Sequence, residues 1–143
     1  MKTKPASLSE NERKEILSSY RRVAVVGLSA DESRDSNRVA KFLQDNGFDI
    51  IPVNPSYREI LGKKCYPRLV DVDGNVEIVD IFRKSEAVGE IVEEAIRIGA
   101  KVVWMQEGVI NEDAARRARE AGLKVVMDRC IKKEYAELFP SGL

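Results

Sequence analysis

The run Val23-Ala24-Val25-Val26 ends in Gly27 and then Leu28-Ser29-Ala30, and a helix-forming stretch opens a few residues later. Four consecutive apolar residues offer no polar face, so the strand they form has to be covered on both sides. Such a strand belongs to a parallel sheet. The turn after it brings a helix N-terminus, with its free N–H groups, to the strand's carboxyl end. That turn holds one glycine, where the dinucleotide fingerprint needs three. The expectation is a site for a phosphorylated ligand that is not held as NAD is held.

The rest of the chain repeats the alternation. Ser9 and Glu12 have capping-box spacing for a first helix reaching about Tyr20. Strand one spans 22–26. Ser36 or Asn37 is expected to cap the next helix, whose Val39, Phe42 and Leu43 share a face and which Gly47 ends. Strand two spans 48–53 and closes on Asn54-Pro55. A short edge strand is expected near 64–66, followed by a turn at Asp73-Gly74-Asn75 and strand four at 77–82. Val88, Ile91, Val92, Ala95 and Ile96 then recur at helical spacing up to Gly99. A strand over 101–105, a helix capped by Asn111, a last strand over 123–127 and a short helix around 132–138 complete the pattern. Right-handed crossovers make this an α/β fold of three layers, Rossmann-like, with a mostly parallel sheet in the order 3-2-1-4-5-6 and helices on both faces.

With 143 residues the chain is expected to form one domain over 1–143, with its N-terminal helix within 1–20 and a loose tail at 140–143. The 24 basic and 24 acidic residues cancel, which argues against nucleic acid or a membrane surface as partner. No apolar run approaches the roughly 20 residues a bilayer needs, and Met1-Lys2-Thr3-Lys4-Pro5 has no signal-peptide character. The expected location is the cytoplasm. There is no histidine, so histidine acid–base chemistry and histidine-ligated metals are excluded. Cys65 and Cys130 match no metal spacing and read as reduced thiols. The abundance of Lys, Arg and Glu suits a thermophilic source or simply a solvated surface.

In sheets of this kind ligands bind outside the carboxyl ends of the strands. Those ends carry Gly27, Leu28, Ser29 and Ala30; Asn54, Pro55, Ser56, Tyr57 and Arg58; Phe82, Arg83, Lys84 and Ser85; Gln106, Glu107 and Gly108; and Asp128, Arg129 and Cys130. A NAD site would have Asp or Glu at the end of strand two for the ribose hydroxyls. Here that place belongs to Asn54. An amide tolerates a ribose 3′-phosphate that a carboxylate would repel, and Tyr57 and Arg58 are close in sequence. Coenzyme A carries such a phosphate.

Taken in order, Gly27-Leu28-Ser29, Pro52-Val53-Asn54-Pro55, Val79-Asp80-Ile81-Phe82-Arg83-Lys84-Ser85, Trp104-Met105-Gln106-Glu107-Gly108 and Asp128-Arg129-Cys130 resemble the small stand-alone CoA-binding proteins. Those proteins are similar to the CoA-binding domain of the succinyl-CoA synthetase α subunit. The resemblance runs from about Arg21 to Leu138. It implies that the turn Gly27–Ala30 holds the pyrophosphate region and that Asn54, Pro55, Tyr57 and Arg58 hold the adenosine part, and Ser36 is a further candidate for binding the ligand. Phe82 and Arg83 would flank the ligand, and Gln106, Glu107 and Gly108 would lie along the pantetheine arm. Cys130 would face the thiol end, where it could exchange into a mixed disulfide. The implied ligand is coenzyme A or an acyl-CoA, with a homo-oligomer or a protein partner as further candidates. The synthetase's phosphate-carrying histidine is missing, so ligase activity by this chain alone is not expected. Binding without catalysis is the leading reading. An enzyme acting on a CoA thioester and a NAD(P)- or nucleotide-binding sensor are the alternatives.

Overall fold

A computed structural model describes residues 8–142. Residues 1–7 and Leu143 lie outside the described residues, and with them the readings made on the N-terminal stretch and on the last residue of the tail. The elements are α1 (Glu10–Ser19), β1 (Arg22–Val26), α2 (Asp35–Asp45), β2 (Asp49–Val53), β3 (Glu59–Ile60), β4 (Lys63–Lys64), β5 (Ile78–Ile81), α3 (Val88–Arg97), β6 (Val102–Met105), α4 (Glu112–Glu120), β7 (Lys124–Val126) and α5 (Ile131–Leu138). Single 3-10 turns at Leu69–Asp71 and Ser85–Ala87 complete the list.

Five strands form one parallel sheet in the order β2-β1-β5-β6-β7. The fold is the α/β, Rossmann-like arrangement the alternation predicts, and these five strands follow the predicted order. The predicted sixth position differs. Lys63–Lys64 folds back on Glu59–Ile60 as a separate antiparallel hairpin, and only Tyr66 reaches the sheet edge, through one parallel bridge to Val53. Leu61 (φ 54°) and Gly62 (φ 75°) make a tight left-handed two-residue turn, which suits a hairpin. Pro67 follows at once and has no N–H with which to extend the bridge.

Strand alternation sends side chains to two cores. Ala24, Val26, Val79, Ile81, Val103 and Met105 meet Val88, Ile91, Val92 and Ala95 of α3 and Ala114, Ala115 and Ala118 of α4. Val23, Val25, Ile50, Ile78, Val102 and Trp104 meet α1, α2 and α5 through Ile16, Leu17, Val39, Ala40, Leu43, Ile131 and Tyr135. Helix α5 is anchored further by Glu134, whose carboxylate accepts from Arg13 Nε at 2.6 Å and from Arg129 at 3.2 Å.

Side-chain caps start two of the five helices, α1 and α4. The Ser9–Glu12 capping box is formed, and the Asn111 side chain accepts from Ala114 N at 2.9 Å. Ser36 and Asn37 are not caps: α2 starts at Asp35 with Arg34 in the cap position and no side-chain cap bond. Their side chains turn back to the preceding loop instead. Ser36 Oγ accepts from Ser29 N at 3.0 Å, and Asn37 Nδ2 donates to Ser29 O at 2.8 Å. Ser85 opens the 3-10 turn before α3, and its hydroxyl accepts from Ile110 N at 3.0 Å.

Candidate binding cleft at the carboxyl edge

The carboxyl ends of β1, β5 and β6 open into a cleft of about 880 Å³ between the N-termini of α2 and α5. That volume is at the upper end of what small-molecule sites offer. The floor is made by Gly27, Ser29, Phe82 and Gln106. Ser33, Arg34, Asp35, Ser36, Arg38 and Val39 form one wall, and Cys130, Lys132 and Lys133 the other. Arg83, Lys84, Glu107 and Val109 lie at the rim.

Gly27 is required where it stands. Its φ is 88°, and a Cβ there would lie 2.2 Å from Phe82 O and 2.9 Å from Arg83 Cδ. Gly27 N donates to Val53 O at 2.9 Å and Phe82 N to Val26 O at 2.8 Å, so the three loops are held together by backbone bonds. No side chain other than hydrogen can fill that space. The loop beyond it is equally ordered. Asp31 N donates to Ser29 Oγ at 3.0 Å, and the Asp31 carboxylate takes both the hydroxyl and the backbone N–H of Ser33. Those bonds hold the Asp31 carboxyl below its ordinary range.

The cleft is electropositive. Six basic side chains line it against two acidic ones. Arg38 is paired with Asp35 and Lys133 with Glu107 at 2.9 Å, while Lys132 rests over the Phe42 ring. Arg34, Arg83, Lys84 and Lys132 have no ion-pair partner among the described residues. Both helices that open on the cleft lack a side-chain cap, so no side chain takes up the N–H groups of their first turns. Uncapped N-termini beside unpaired cations make an anion site.

Beneath the floor lies Asp80 of β5. It is fully buried, and its Oδ1 accepts from Gln106 Nε2 at 2.5 Å. Its Oδ2 is without a partner. Burial without a cation pushes its carboxyl up to about 8.

The cleft brings together eight of the residues expected from sequence: Gly27, Ser29, Ser36, Phe82, Arg83, Gln106, Glu107 and Cys130. The others lie outside its lining. The Leu28 side chain is buried in the core, and Ala30 is exposed on the loop. Asn54 builds its own loop, donating through Nδ2 to Leu28 O at 3.0 Å and accepting from Ser56 N at 2.9 Å. Pro55, Tyr57 and Arg58 are exposed on the same loop. Gly108, at φ 82°, donates to Asp128 Oδ1 at 2.7 Å. Sequence reasoning missed Arg34, Arg38, Lys132 and Lys133 on the walls, and Asp80 beneath them. For Asp80 the signal was there: one carboxylate within the apolar run Ile78–Phe82.

The model of the CoA binding domain matches residues 21–136. The chain belongs to the CoA-binding domain family. The domain is 45% identical over 128 residues to the uncharacterized protein YneT of Bacillus subtilis, covering 90% of this chain and 95% of that one. It is 30% identical over 119 residues to the ADP-forming acetate–CoA ligase I of Archaeoglobus fulgidus, covering 76% of this chain. This CoA-binding domain spans only 17% of that ligase's length. Among solved structures, a hypothetical protein from Pyrococcus horikoshii superposes with a TM-score of 0.91 at 44% identity, covering 97% of this chain and 99% of that one. Among the described residues, no helix is long and apolar enough to cross a membrane.

Proposed function

We propose that the cleft binds coenzyme A or an acyl-CoA, and that the domain acts by binding, without a chemical step of its own. One observation carries this reading: two helix N-termini without side-chain caps line one cleft together with Gly27, and Arg34, Arg83 and Lys84 in its lining have no ion-pair partner among the described residues. That suits a ligand with several phosphates and an extended arm. The pyrophosphate would rest over Gly27, Ser29 and the first turn of α2. The adenosine end would run toward the Asn54–Arg58 loop, which the Asn54 bond to Leu28 O sets beside the turn. The pantetheine arm would pass Gln106 and Glu107 toward Cys130.

Binding suffices for this reading. Glu107 is engaged by Lys133, and Cys130 has no hydrogen-bonded base to activate it. The reading places the protein in the cytoplasm, where CoA and free thiols occur together.

Calorimetric titration with CoA, dephospho-CoA, NAD and ATP tests it. CoA should bind most tightly. Loss of the 3′-phosphate should weaken binding by about 1.5–3 kcal/mol, the size of a charge-assisted hydrogen bond. Tighter binding of NAD than of CoA would overturn the reading.

A further inference from the structure

We propose that Asp80 fixes the direction of the Gln106 amide, and so makes Gln106 a carbonyl acceptor for an amide N–H on the bound ligand. The inference rests on the CoA reading above, because the pantetheine arm is the part of that ligand rich in secondary amides. Gln106 stands at the carboxyl end of β6, is 4% exposed and forms part of the cleft floor. A glutamine side chain can present either its oxygen or its nitrogen, and only its neighbours decide which. Here the neighbour is a carboxyl. Asp80 Oδ1 takes the amide nitrogen at 2.5 Å, and Gln106 Oε1 is the end not engaged by any described residue.

The bond in the structure fixes the choice, since it runs from Gln106 Nε2 to Asp80 Oδ1. An ionised carboxylate only accepts, and a neutral one accepts through Oδ1 when its proton sits on Oδ2. With that bond made, Nε2 is held inward and Oε1 remains for the ligand.

The fold does not need a carboxyl at this position. Asp80 lies between Val79 and Ile81 in the central strand, paired with Val25 on one side and Trp104 on the other. It has no ion pair, and Oδ2 is an orphan. A buried polar atom without a partner is costly, and an apolar side chain would fill the site at less expense. Its one polar contact is to a residue that lines the cleft, which makes Asp80 a positioning residue for ligand binding.

The test compares two ligands and three variants. Adenosine 3′,5′-bisphosphate shares the phosphate-bearing end of CoA and lacks the amide arm. Asp80→Leu should weaken CoA binding about five- to tenfold, the loss of one hydrogen bond, and leave the bisphosphate's affinity unchanged. Asp80→Asn keeps an acceptor oxygen and should restore CoA binding to within about twofold of the unaltered protein. Gln106→Leu, which leaves the strand untouched, should show the same ligand-selective loss as Asp80→Leu. Undiminished CoA affinity in Asp80→Leu or Gln106→Leu would overturn the inference, and so would equal weakening of both ligands. An unaltered protein that fails to bind CoA would overturn the reading beneath it.

Discussion

The two faces of the sheet are built for different tasks. The face under α3 and α4 is closed by valines, isoleucines and alanines, with no buried polar side chain. The face under α1, α2 and α5 carries all five buried polar residues among those described: Ser36, Asn37, Asp80, Gln106 and Glu134. Both faces pack on the same five parallel strands. They differ at the carboxyl end. There α4 is capped by Asn111, whose amide also donates to Ser85 O at 2.9 Å, so the loops close over one another. Helices α2 and α5 start without a side-chain cap and line the cleft, whereas α3, which has none either, is entered through the 3-10 turn Ser85–Ala87. One face supplies stability. The other accepts polar burial and opens the cleft at its carboxyl end.

The comparison breaks most sharply at two glycines on opposite edges. Gly27→Val should abolish measurable CoA binding and lower the melting temperature, because the Cβ meets Phe82 O at 2.2 Å. Gly99→Ala, at φ 75° with nothing within 4 Å, should cost only about 1 kcal/mol of backbone strain and leave affinity intact. Retained CoA binding in Gly27→Val would put the ligand elsewhere.

Asp80 gives the next largest effect. Its folded-state value, about 8, lies above that of an unfolded aspartate. Below about pH 4 both states hold the proton and the shift adds no cost. As pH rises toward 8 the unfolded chain gives up its proton while the native protein keeps it, so stability is lost across that window. Relative to the unaltered protein, Asp80→Leu should therefore gain a few kcal/mol between about pH 4 and pH 8 in urea denaturation. Parallel profiles would show that Asp80 titrates normally.

A mirrored pair of variants sharpens the contrast. Arg83→Ala removes an exposed, unpaired cation at the cleft rim, and should cost about 1.5–3 kcal/mol of CoA affinity with the melting temperature unchanged. Val92→Ala, fully buried under the other face, should cost about 2 kcal/mol of stability with affinity unchanged. If either variant moved both quantities, the two faces would be coupled rather than divided.

How far this division was legible in the sequence depends on the range of the interactions involved. Periodicity made the α3/α4 face readable, since Val88, Ile91, Val92 and Ala95 follow one helical stripe and nothing distant redirects them. Five strands and their order followed from the alternation. The lining of the candidate cleft was legible where chain connectivity sets it, at Gly27, Ser29, Phe82, Arg83 and Gln106. It was not legible where a polar side chain chooses among local partners. Ser36, Asn37 and Asn54 bond neighbouring loops, and their composition suits a cap or a ligand equally well. Nor could it reveal Lys132 and Lys133 as a wall, because that depends on how α5 packs across α2.

The smallest effect concerns the two cysteines, which repeat the comparison on a local scale. Cys65 is 5% exposed, bonded through Sγ to Asn54 O at 3.4 Å, and burial pushes its thiol up. Cys130 is half-buried and lines the cleft at the cap position of α5, next to Lys132 and Lys133. Trp104 fixes that approach by donating from Nε1 to Arg129 O at 2.8 Å. On the CoA reading, the thiol end of the ligand reaches Cys130. Its thiolate, having released its proton to solvent, attacks one sulfur of CoA disulfide; a protein–CoA disulfide forms, and the second CoA leaves as thiolate. Intact-mass measurement after incubation with CoA disulfide should show one reducible CoA adduct, absent in Cys130→Ser. Affinity for reduced CoA should be the same in both proteins, because the thiol contributes a redox contact and no part of the phosphate site. An adduct that persists in Cys130→Ser and vanishes in Cys65→Ser would mean that the buried thiol, and not the one in the cleft, is within the ligand's reach.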